Sequence, residues 1–515
     1  MSAFEEFSDY VGQINDLLCT VNVLNWDSRT QMPSGGAATR GKQLSTLLQL
    51  AQGRFTSAEM GRLIDRAESE VQGDDADSYR LRAVQSARSA FEIARRIPSA
   101  LVAELATRKT VAEQVWEEAK PAGDFARFAP HLAPMVELQK QLADAIGYDD
   151  HPYDAFLTMY EPGMTSQRLS VLFSELKAGL LPLLQRIQAS GLPHHGEVLA
   201  RHFPVETQRA FGLEIAQEFG YDLSRGRLDV SAHPFEISFT RQDVRITTRY
   251  QPNYLAGAIF GIFHETGHAL YEQGVDPSLT RSALTTDFLS LYAVGGASFG
   301  AHESQSRLWE NQVGRSRAFW LLHFPRLQSL FPQQLADVDV EMFYRAVNRV
   351  RPSLIRVEAD EVTYNLHIML RTEIEMGLLD GSIAVAELPS VWNGKMEEFL
   401  GVTPPNDTVG VLQDVHWSSG HFGTFPTYTI GNVMAGQFMQ AARRDNPGLD
   451  DALAQGNYQP LLGWLTENIY RHGRAFSPQE LLLRTSGQTL QAAPYLEYLQ
   501  QKYGELYPVT QSTAL

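Results

Sequence analysis

The chain has 515 residues, 43% of them hydrophobic, and its 60 acidic side chains outnumber 43 basic ones to give a formal net charge of -17. This acidity argues against nucleic acid as a partner, and without a basic run or an apolar stretch of ~18 residues the sequence predicts no membrane association. The single cysteine, Cys19, excludes an intrachain disulfide, and the N-terminus lacks signal-peptide features, so we expect a cytoplasmic protein.

Most of the chain carries the three- and four-residue spacing of amphipathic helices. Between residues 166 and 187 this spacing is kept by Leu169, Leu172, Phe173, Leu176 and Leu180. The same pattern predicts helices over residues 77–97, 99–120, 205–219 and 490–502. Pro98 separates the first two of these helices, and a turn at residues 191–193 ends the helix that begins at 166. The sequence therefore predicts a mainly α protein.

One region has the alternating pattern of β-structure. Residues 235–240 and 244–250 are rich in aromatic and β-branched side chains, and Arg241-Gln242-Asp243 separates them. This arrangement predicts a β-hairpin. It lies directly before the helix that carries the most specific motif of the chain.

That motif is His264-Glu265-Thr266-Gly267-His268, within a helix predicted over residues 253–273. Two histidines four residues apart project from one helix face, so their ring nitrogens can bind one zinc ion. Glu265 can then accept a proton from a water activated by the metal, as in metal-dependent peptide hydrolysis. The alternative is a pair of ordinary histidines beside a surface carboxylate, but the apolar flanks of the helix predict burial, and buried polar groups need partners.

A hydrolytic zinc site needs a third protein ligand and an open position for water. Glu303, in a second helical stretch over residues 298–313, is the preferred candidate. Asp287 and His302 are the alternatives. Glu272, Glu358 and Asp360 are candidates for orienting the ligands, and the sequence does not choose among them.

Further motifs occur along the chain in a fixed order. They are His233-Pro234-Phe235 (HPF), Asp243 to Thr247 (DxRxT), His264 to His268 (HExxH), His302 to Gln305 (HESQ), Ile355 to Asp360 (IRxxAD) and Gly410 to Trp417 (GxxQDxHW). Through these motifs the chain resembles the carboxypeptidase Taq family of metallocarboxypeptidases over nearly its whole length.

The resemblance implies a large, two-lobed helical body with a deep channel, similar to neurolysin, and one small β-hairpin or sheet near the active site. It also implies a homodimer, with one zinc or sometimes cobalt ion per chain. The implied activity is release of C-terminal residues from peptides with broad specificity. We expect a single peptidase domain over residues 1–515, with a helical cap lobe at 1–195 and a catalytic portion at 196–515.

A carboxypeptidase must bind a free α-carboxylate, for which the planar guanidinium of arginine is suited. Arg356 of the IRxxAD motif is the first candidate, and its alternative role is an ion pair with Glu358, Asp360 or Glu361. Arg245 is the second candidate, although an ion pair with the nearby Asp243 is an equal possibility. His233 either contacts the substrate or supports the hairpin.

The oxyanion formed during hydrolysis needs hydrogen-bond donors in addition to the metal. His416 and Tyr428 are the candidates, because their separation resembles the pair that has this role in neurolysin-like enzymes. A glycine-rich stretch between them predicts a loop. The alternative for Tyr428 is a core tyrosine.

The sequence departs from the family pattern between His268 and His302, where residues 280–296 make the connection unusually long. Two other functions stay open from the sequence. The first is an oligopeptidase that cuts internally in short peptides. The second is a helical binding protein with a relict metal site, against which the intact Glu265 argues.

Overall fold

A computed structural model describes residues 1–508 and confirms the mainly helical prediction. Within that range no helix meets the length and hydropathy needed to cross a membrane. The helices are α1 Ala3–Thr30, α2 Ala37–Phe55, α3 Ala58–Val71, α4 Tyr79–Ala94, α5 Ser99–Ala122, α6 Phe125–Ile146, α7 Tyr153–Tyr160, α8 Ser166–Ala189, α9 Val205–Phe219, α10 Leu255–Gly274, α11 Phe299–Arg307, α12 Arg317–Leu330, α13 Val340–Val347, α14 Thr363–Asp380, α15 Leu388–Leu400, α16 Phe425–Asp445, α17 Leu449–Ala454, α18 Gln459–Asn468, α19 Pro478–Ser486 and α20 Ala493–Leu506.

The chain forms two compact units, each assembled from separate segments. Unit 1 contains residues 1–95, 195–347 and 434–490, and unit 2 contains residues 96–194, 348–433 and, of the described residues, 491–508. The predicted seam near residue 195 coincides with one boundary between segments. The predicted cap lobe, residues 1–195, is instead divided between the units, because α1 to α4 pack with the later segments of unit 1.

Unit 1 contains a three-stranded sheet in the order β1 Gly226–Val230, β3 Asp243–Thr248, β2 Glu236–Thr240. The predicted hairpin is the antiparallel pair β2–β3. The first strand was not predicted, and it pairs with β3 in parallel. The sheet contacts α10 through β3 and β2, and α1 covers β2. Trp26 of α1 joins Phe235, Ile237 and Phe239 in a buried cluster under this cover.

The unusually long connection over residues 280–296 is ordered and packs within unit 1. It contains a two-residue pairing of β4 Thr286–Asp287 with β5 Tyr292–Ala293. Two buried asparagines of α1 hold it through main-chain oxygens: Asn15 donates to Thr285 and Asn22 donates to Ala293. The ring of Phe288 also stacks on Phe55 with the centroids 4.2 Å apart.

Unit 2 is built around α14, which is buried along nearly its whole length. Helices α5 and α6 pack against each other, α6 and α8 contact α14, and α20 packs on α8. Although it lies in the interior, α14 carries the fully buried side chains of Arg371 and Glu375. Because buried charges require partners, we expect further polar side chains around these two residues in the interior of unit 2.

Candidate active site

The HExxH motif lies in α10, and a close approach of α11 completes the site. A Cβ atom at Gly267 would lie 2.4 Å from the main-chain oxygen of Gln305. Only glycine therefore allows α10 and α11 to pack at this distance. The packing brings Glu303 of α11 to the two histidines of α10.

His264, His268 and Glu303 place one ligand atom each within 4.8 Å of one another. The Glu303 Oε2 atom lies 3.5 Å from His264 Nε2 and 3.3 Å from His268 Nε2. Two imidazole nitrogens and one carboxylate oxygen form the ligand set of a hydrolytic zinc site, with the fourth position left for water.

The two alternative third ligands have other partners. Asp287 accepts hydrogen bonds from the main-chain N–H groups of Leu289 and Ser290 and forms an ion pair with Arg474 at 3.3 Å. The ring of His302 contacts His268 on Nδ1, the nitrogen opposite the one that faces Glu303. Among the described residues, Glu303 is the side chain that joins the two histidines.

The protonation states of His268 and Glu303 fit a divalent cation. Burial and the neighbouring His302 lower the pKa of His268 to about 3, so its imidazole is neutral. Burial alone would raise the pKa of Glu303, but Arg307 and His264 outweigh it and hold the pKa well below its usual range. A neutral imidazole and an ionised carboxylate are the forms that bind metal.

Glu265 is a buried carboxyl group beside this ligand set. Burial raises its pKa to about 7, a rise opposed by His264, by Arg29 and by a hydrogen bond from the main chain of Glu236. A general base is most effective when its pKa lies near the working pH. The position and pKa of Glu265 therefore suit proton transfer.

The outer nitrogen of His264 has a carboxylate partner that the sequence did not indicate. Its Nδ1 atom lies 2.9 Å from Glu310 Oε2, and Glu310 also accepts hydrogen bonds from Arg307 and Arg315. Glu310 lies in a π-helical turn, Leu308–Val313, that continues α11. The sequence predicted a single helix over 298–313, and the only signal for Glu310 was an acidic residue two turns after Glu303.

A second polar cluster, in unit 2, contains three of the other predicted residues: Arg356, His416 and Tyr428. The Arg356 guanidinium lies 2.9 Å from Asp414 Oδ1, and Arg371 lies 2.6 Å from Asp414 Oδ2. Arg356 also donates to the Tyr364 hydroxyl at 3.2 Å and lies 5.5 Å from the centroid of the Tyr428 ring.

The ion-pair partner of Arg356 is therefore Asp414 of the GxxQDxHW motif. Two of the acidic residues that follow Arg356, Asp360 and Glu361, have other contacts. Asp360 accepts hydrogen bonds from the N–H groups of Val362 and Thr363 at the start of α14. Glu361 pairs with Lys502 at 2.8 Å. Motif spacing alone could not identify a partner 58 residues away.

His416 lies near Tyr428, with ring centroids 6.5 Å apart, and it stacks on Phe425 at 4.3 Å. Its Nδ1 atom is buried and has no hydrogen-bond partner within residues 1–508. Burial and Arg356 lower the pKa of His416 to about 3. A neutral imidazole of this kind carries one N–H that can donate to an oxyanion.

The loop between His416 and Tyr428 is held by Glu375, which the sequence analysis missed. This buried carboxylate of α14 accepts hydrogen bonds from the Tyr153 hydroxyl at 2.7 Å, the Trp417 indole at 3.1 Å and the Gly423 main chain at 3.0 Å. Burial raises the pKa of Glu375 to about 7, and the three donors oppose the rise.

The two remaining predicted residues lie on or beside the sheet of unit 1. Arg245 makes two hydrogen bonds of 2.8 Å to Asp243, and its guanidinium lies 4.4 Å from the centroid of the Trp26 ring. The side chain of His233 is exposed, and its main-chain oxygen accepts a hydrogen bond from Ser231 at 2.7 Å. Substrate contact by either residue remains a prediction.

Comparison with known proteins identifies the family of the whole chain. The family model of the carboxypeptidase Taq (M32) metallopeptidases matches residues 6–503. Thermostable carboxypeptidase 1 of Thermus thermophilus is 45% identical over 94% of each chain, and carboxypeptidase 1 of Bacillus subtilis is 39% identical over 98% of each. The crystal structure of an M32 carboxypeptidase from Deinococcus radiodurans superimposes with a TM-score of 0.94 at 43% identity, covering 98% of this chain and 100% of that one.

Together with the HExxH helix and the nearby Glu303, these matches define a metal-dependent peptide hydrolase. The chain belongs to the carboxypeptidase Taq (M32) family of metallopeptidases. Its function is that of a metallocarboxypeptidase, and the relatives do not support the oligopeptidase alternative.

Proposed function

We propose that this metallocarboxypeptidase releases single C-terminal residues from peptides with broad specificity, using one zinc ion bound by His264, His268 and Glu303. The observation that carries the proposal is the convergence of these three ligand atoms within 4.8 Å beside the buried Glu265. Cobalt is a second candidate metal, because nitrogen and carboxylate ligands accept both ions.

Three residues of the chain have proposed roles in hydrolysis beside the metal ligands: Glu265, His416 and Tyr428. When bound, zinc supplies a Lewis acid that polarises the peptide carbonyl and lowers the pKa of a bound water to about 7. Glu265 accepts the proton of the attacking water and passes it to the leaving amine. His416 and Tyr428 donate hydrogen bonds to the developing oxyanion.

Arg356 is the proposed ligand for the free α-carboxylate of the substrate. Its support is a guanidinium fixed by Asp414 and Tyr364, since a pre-oriented fork loses little entropy when it binds a carboxylate. Arg245 and His233 are the second proposed substrate contacts. They are supported by their place on or beside the strands that pack against α10.

The assembly and location of the protein are also proposals. The family resemblance supports a homodimer. A cytoplasmic location is supported by the single cysteine, whose thiol contacts Asn15 within unit 1 and requires no oxidising compartment. Peptides are the proposed substrates.

The proposed exopeptidase activity depends on the free carboxylate, which an amidated peptide lacks. We expect the wild-type enzyme to cleave a peptide acid about 100-fold faster than the same peptide with a C-terminal amide, since a charge-assisted hydrogen bond contributes about 1.5–3 kcal/mol. The measurement is kcat/KM for both peptides. Arg356→Gln should lower kcat/KM for the acid and leave the amide nearly unchanged, whereas equal cleavage of acid and amide by the wild type would refute the proposal.

The proposed role of Glu265 is tested separately from metal binding. We expect Glu265→Gln to bind zinc at wild-type stoichiometry, because Glu265 is not a ligand, and to lose at least about 100-fold in kcat, because the proton acceptor is gone. Elemental analysis and steady-state kinetics measure the two quantities. Wild-type turnover by this variant would refute the general-base role.

A further inference from the structure

His302 is the residue before Glu303 and is not one of the proposed ligands. It lies between the predicted metal site and the buried ion pair of Glu272 with Arg241. Its Nδ1 atom is in hydrogen-bonding contact with His268 Nδ1, and its Nε2 atom lies 3.0 Å from Glu272 Oε1. The rings of His302 and His268 are nearly parallel, with an interplanar angle of 21° and centroids 4.5 Å apart. The contact between the two Nδ1 atoms is the observation that supports an N–H···N hydrogen bond between the rings.

The hydrogen-bond chemistry allows one consistent assignment of protons for neutral rings. If His268 binds metal through Nε2, its proton is on Nδ1, which then donates to His302 Nδ1. His302 must consequently carry its own proton on Nε2, where it donates to Glu272. Each nitrogen in the sequence His268–His302–Glu272 is then satisfied.

Glu272 is itself fixed by donors from several elements of unit 1. It forms an ion pair with Arg241 at 2.8 Å, and the main-chain N–H groups of Gly295 and Gly296 donate to it at 2.9 Å and 3.1 Å. The side chain of Glu272 is fully buried. Because every donor is in place, the carboxylate has a single well-defined position.

The two glycines are required by the space that this arrangement occupies. A Cβ atom at Gly295 would lie 2.5 Å from the Arg241 guanidinium, and one at Gly296 would lie 2.4 Å from the ring of His302. Tyr271 stacks on the His302 ring with an interplanar angle of 12°. The end of the long 280–296 connection therefore fixes the position of His302 in two ways, through Glu272 and by direct packing.

We propose that His302 and Glu272 form a hydrogen-bonded relay that holds His268 in its metal-binding tautomer and orientation, with the 295–296 main chain as its anchor. The inference rests on the proposed metal site. In it His302 is a positioning residue, and the long connection raises metal affinity through contacts that are remote from the ligands. Partners of this kind commonly contribute about 10- to 100-fold to metal affinity.

Zinc affinity of the full-length protein, measured by competition with a chromophoric chelator, tests the relay. We expect His302→Phe, which keeps a planar ring without hydrogen bonds, to weaken zinc binding about 10- to 100-fold. His302→Gln can accept from His268 and donate to Glu272, so it should recover most of the loss. The matched control is His323→Phe, which removes another buried histidine of unit 1, one paired with Tyr458 at 2.8 Å, and should leave the affinity unchanged.

Two further measurements do not depend on catalysis. The d–d absorption of the cobalt-loaded protein should change in His302→Phe and return towards wild type in His302→Gln. Gly296→Ala keeps every polar group but fills the space of the His302 ring, so it should also weaken zinc binding. It tests the relay even if His302→Phe does not fold.

The outcomes separate the relay from the proposed function. If the wild type binds zinc, His264→Ala does not, and His302→Phe keeps wild-type affinity and cobalt spectrum, the relay is refuted while the metal site stands. If the wild type binds no zinc, both are refuted. Equal weakening by His302→Phe and His302→Gln would also refute the relay, because the loss would then reflect packing.

Discussion

At the scale of single residues, the two histidines of α10 that we propose as metal ligands are oriented by different chemistry. His264 contacts the carboxylate of Glu310, whereas His268 contacts the imidazole of His302. Burial alone would lower the pKa of His264, but Glu303 and Glu310 outweigh it and raise the pKa above its usual value. His264 thus has an anionic partner, which strengthens its basicity towards a metal.

Replacement of Glu310 tests this partnership. We expect Glu310→Gln to weaken zinc binding about 10- to 100-fold, since the amide carries no charge to support His264. Chelator competition measures the affinity. Glu214→Gln, which alters an exposed ion pair with Arg326 in the same unit, is the control and should bind zinc as the wild type does. Wild-type affinity in Glu310→Gln would contradict the proposed support.

The candidate ligands could be predicted from the sequence, but the side chains that contact them could not. His264, His268 and Glu265 follow from helix spacing, and Glu303 from a motif that the family supplies. Glu310 depends on a π-helical turn, and His302 depends on which ring nitrogen faces α10. Neither property leaves a periodic pattern in the sequence, because both arise from the approach of α11 to α10.

At the scale of elements, the loop that carries His416 is fixed by hydrogen bonds to a side chain of α14. Trp417 and Gly423 both donate to Glu375, so a single carboxylate fixes both ends of the loop. A Cβ atom at Gly423 would lie 2.3 Å from the Cβ atom of Phe156, and its φ of +84° favours glycine. The glycine-rich composition predicted the loop, but the anchor lies in a helix more than 40 residues earlier.

Glu375 should make the stability of the protein depend on pH. Its pKa is about 7 in the folded state and about 4.5 in the unfolded chain, so the folded state binds more protons between these values. The free energy of unfolding should therefore fall as the pH rises from about 4.5 through 7, by about 3 kcal/mol for this group.

Urea denaturation of the wild type and Glu375→Gln between pH 5 and 8 isolates this contribution. As the pH rises, the free energy of unfolding of the wild type should fall relative to that of Glu375→Gln, because glutamine does not ionise. Glu398→Gln, which alters an exposed ion pair with Lys177, should run parallel to the wild type. Parallel curves for Glu375→Gln as well would contradict the raised pKa.

The small sheet shows where sequence patterns stop being sufficient. Alternating residues predicted β2 and β3, and the structure confirms their antiparallel pairing. Strand β1 has only five residues, two of them the ion-paired Arg227 and Asp229. A short strand with charged residues does not alternate clearly, and its parallel pairing depends on distant contacts.

At the scale of the whole molecule, the proposed metal ligands come from two helices that are separated by the long 280–296 connection. Zinc binding to the folded chain alone would stabilise it by about 2.7 kcal/mol at a free metal concentration 100 times the Kd. We expect chelation to lower the melting temperature of the wild type by a few degrees. Calorimetry should show no such decrease in His264→Ala, and an equal decrease in both proteins would contradict stabilisation through this site.

The interleaved segments of the two units have a consequence for biosynthesis. The ribosome releases the first segment of unit 1, residues 1–95, long before its partners. Asn15 forms hydrogen bonds with residues about 270 positions later, and Tyr79 forms one with His472, 393 positions later. The apolar side chains of residues 1–95 that pack on the later segments therefore stay incompletely covered until nearly the whole chain has been translated. No single proteolytic cut can separate one intact unit from the other, so limited proteolysis should nick this enzyme without dividing it into independently folding halves.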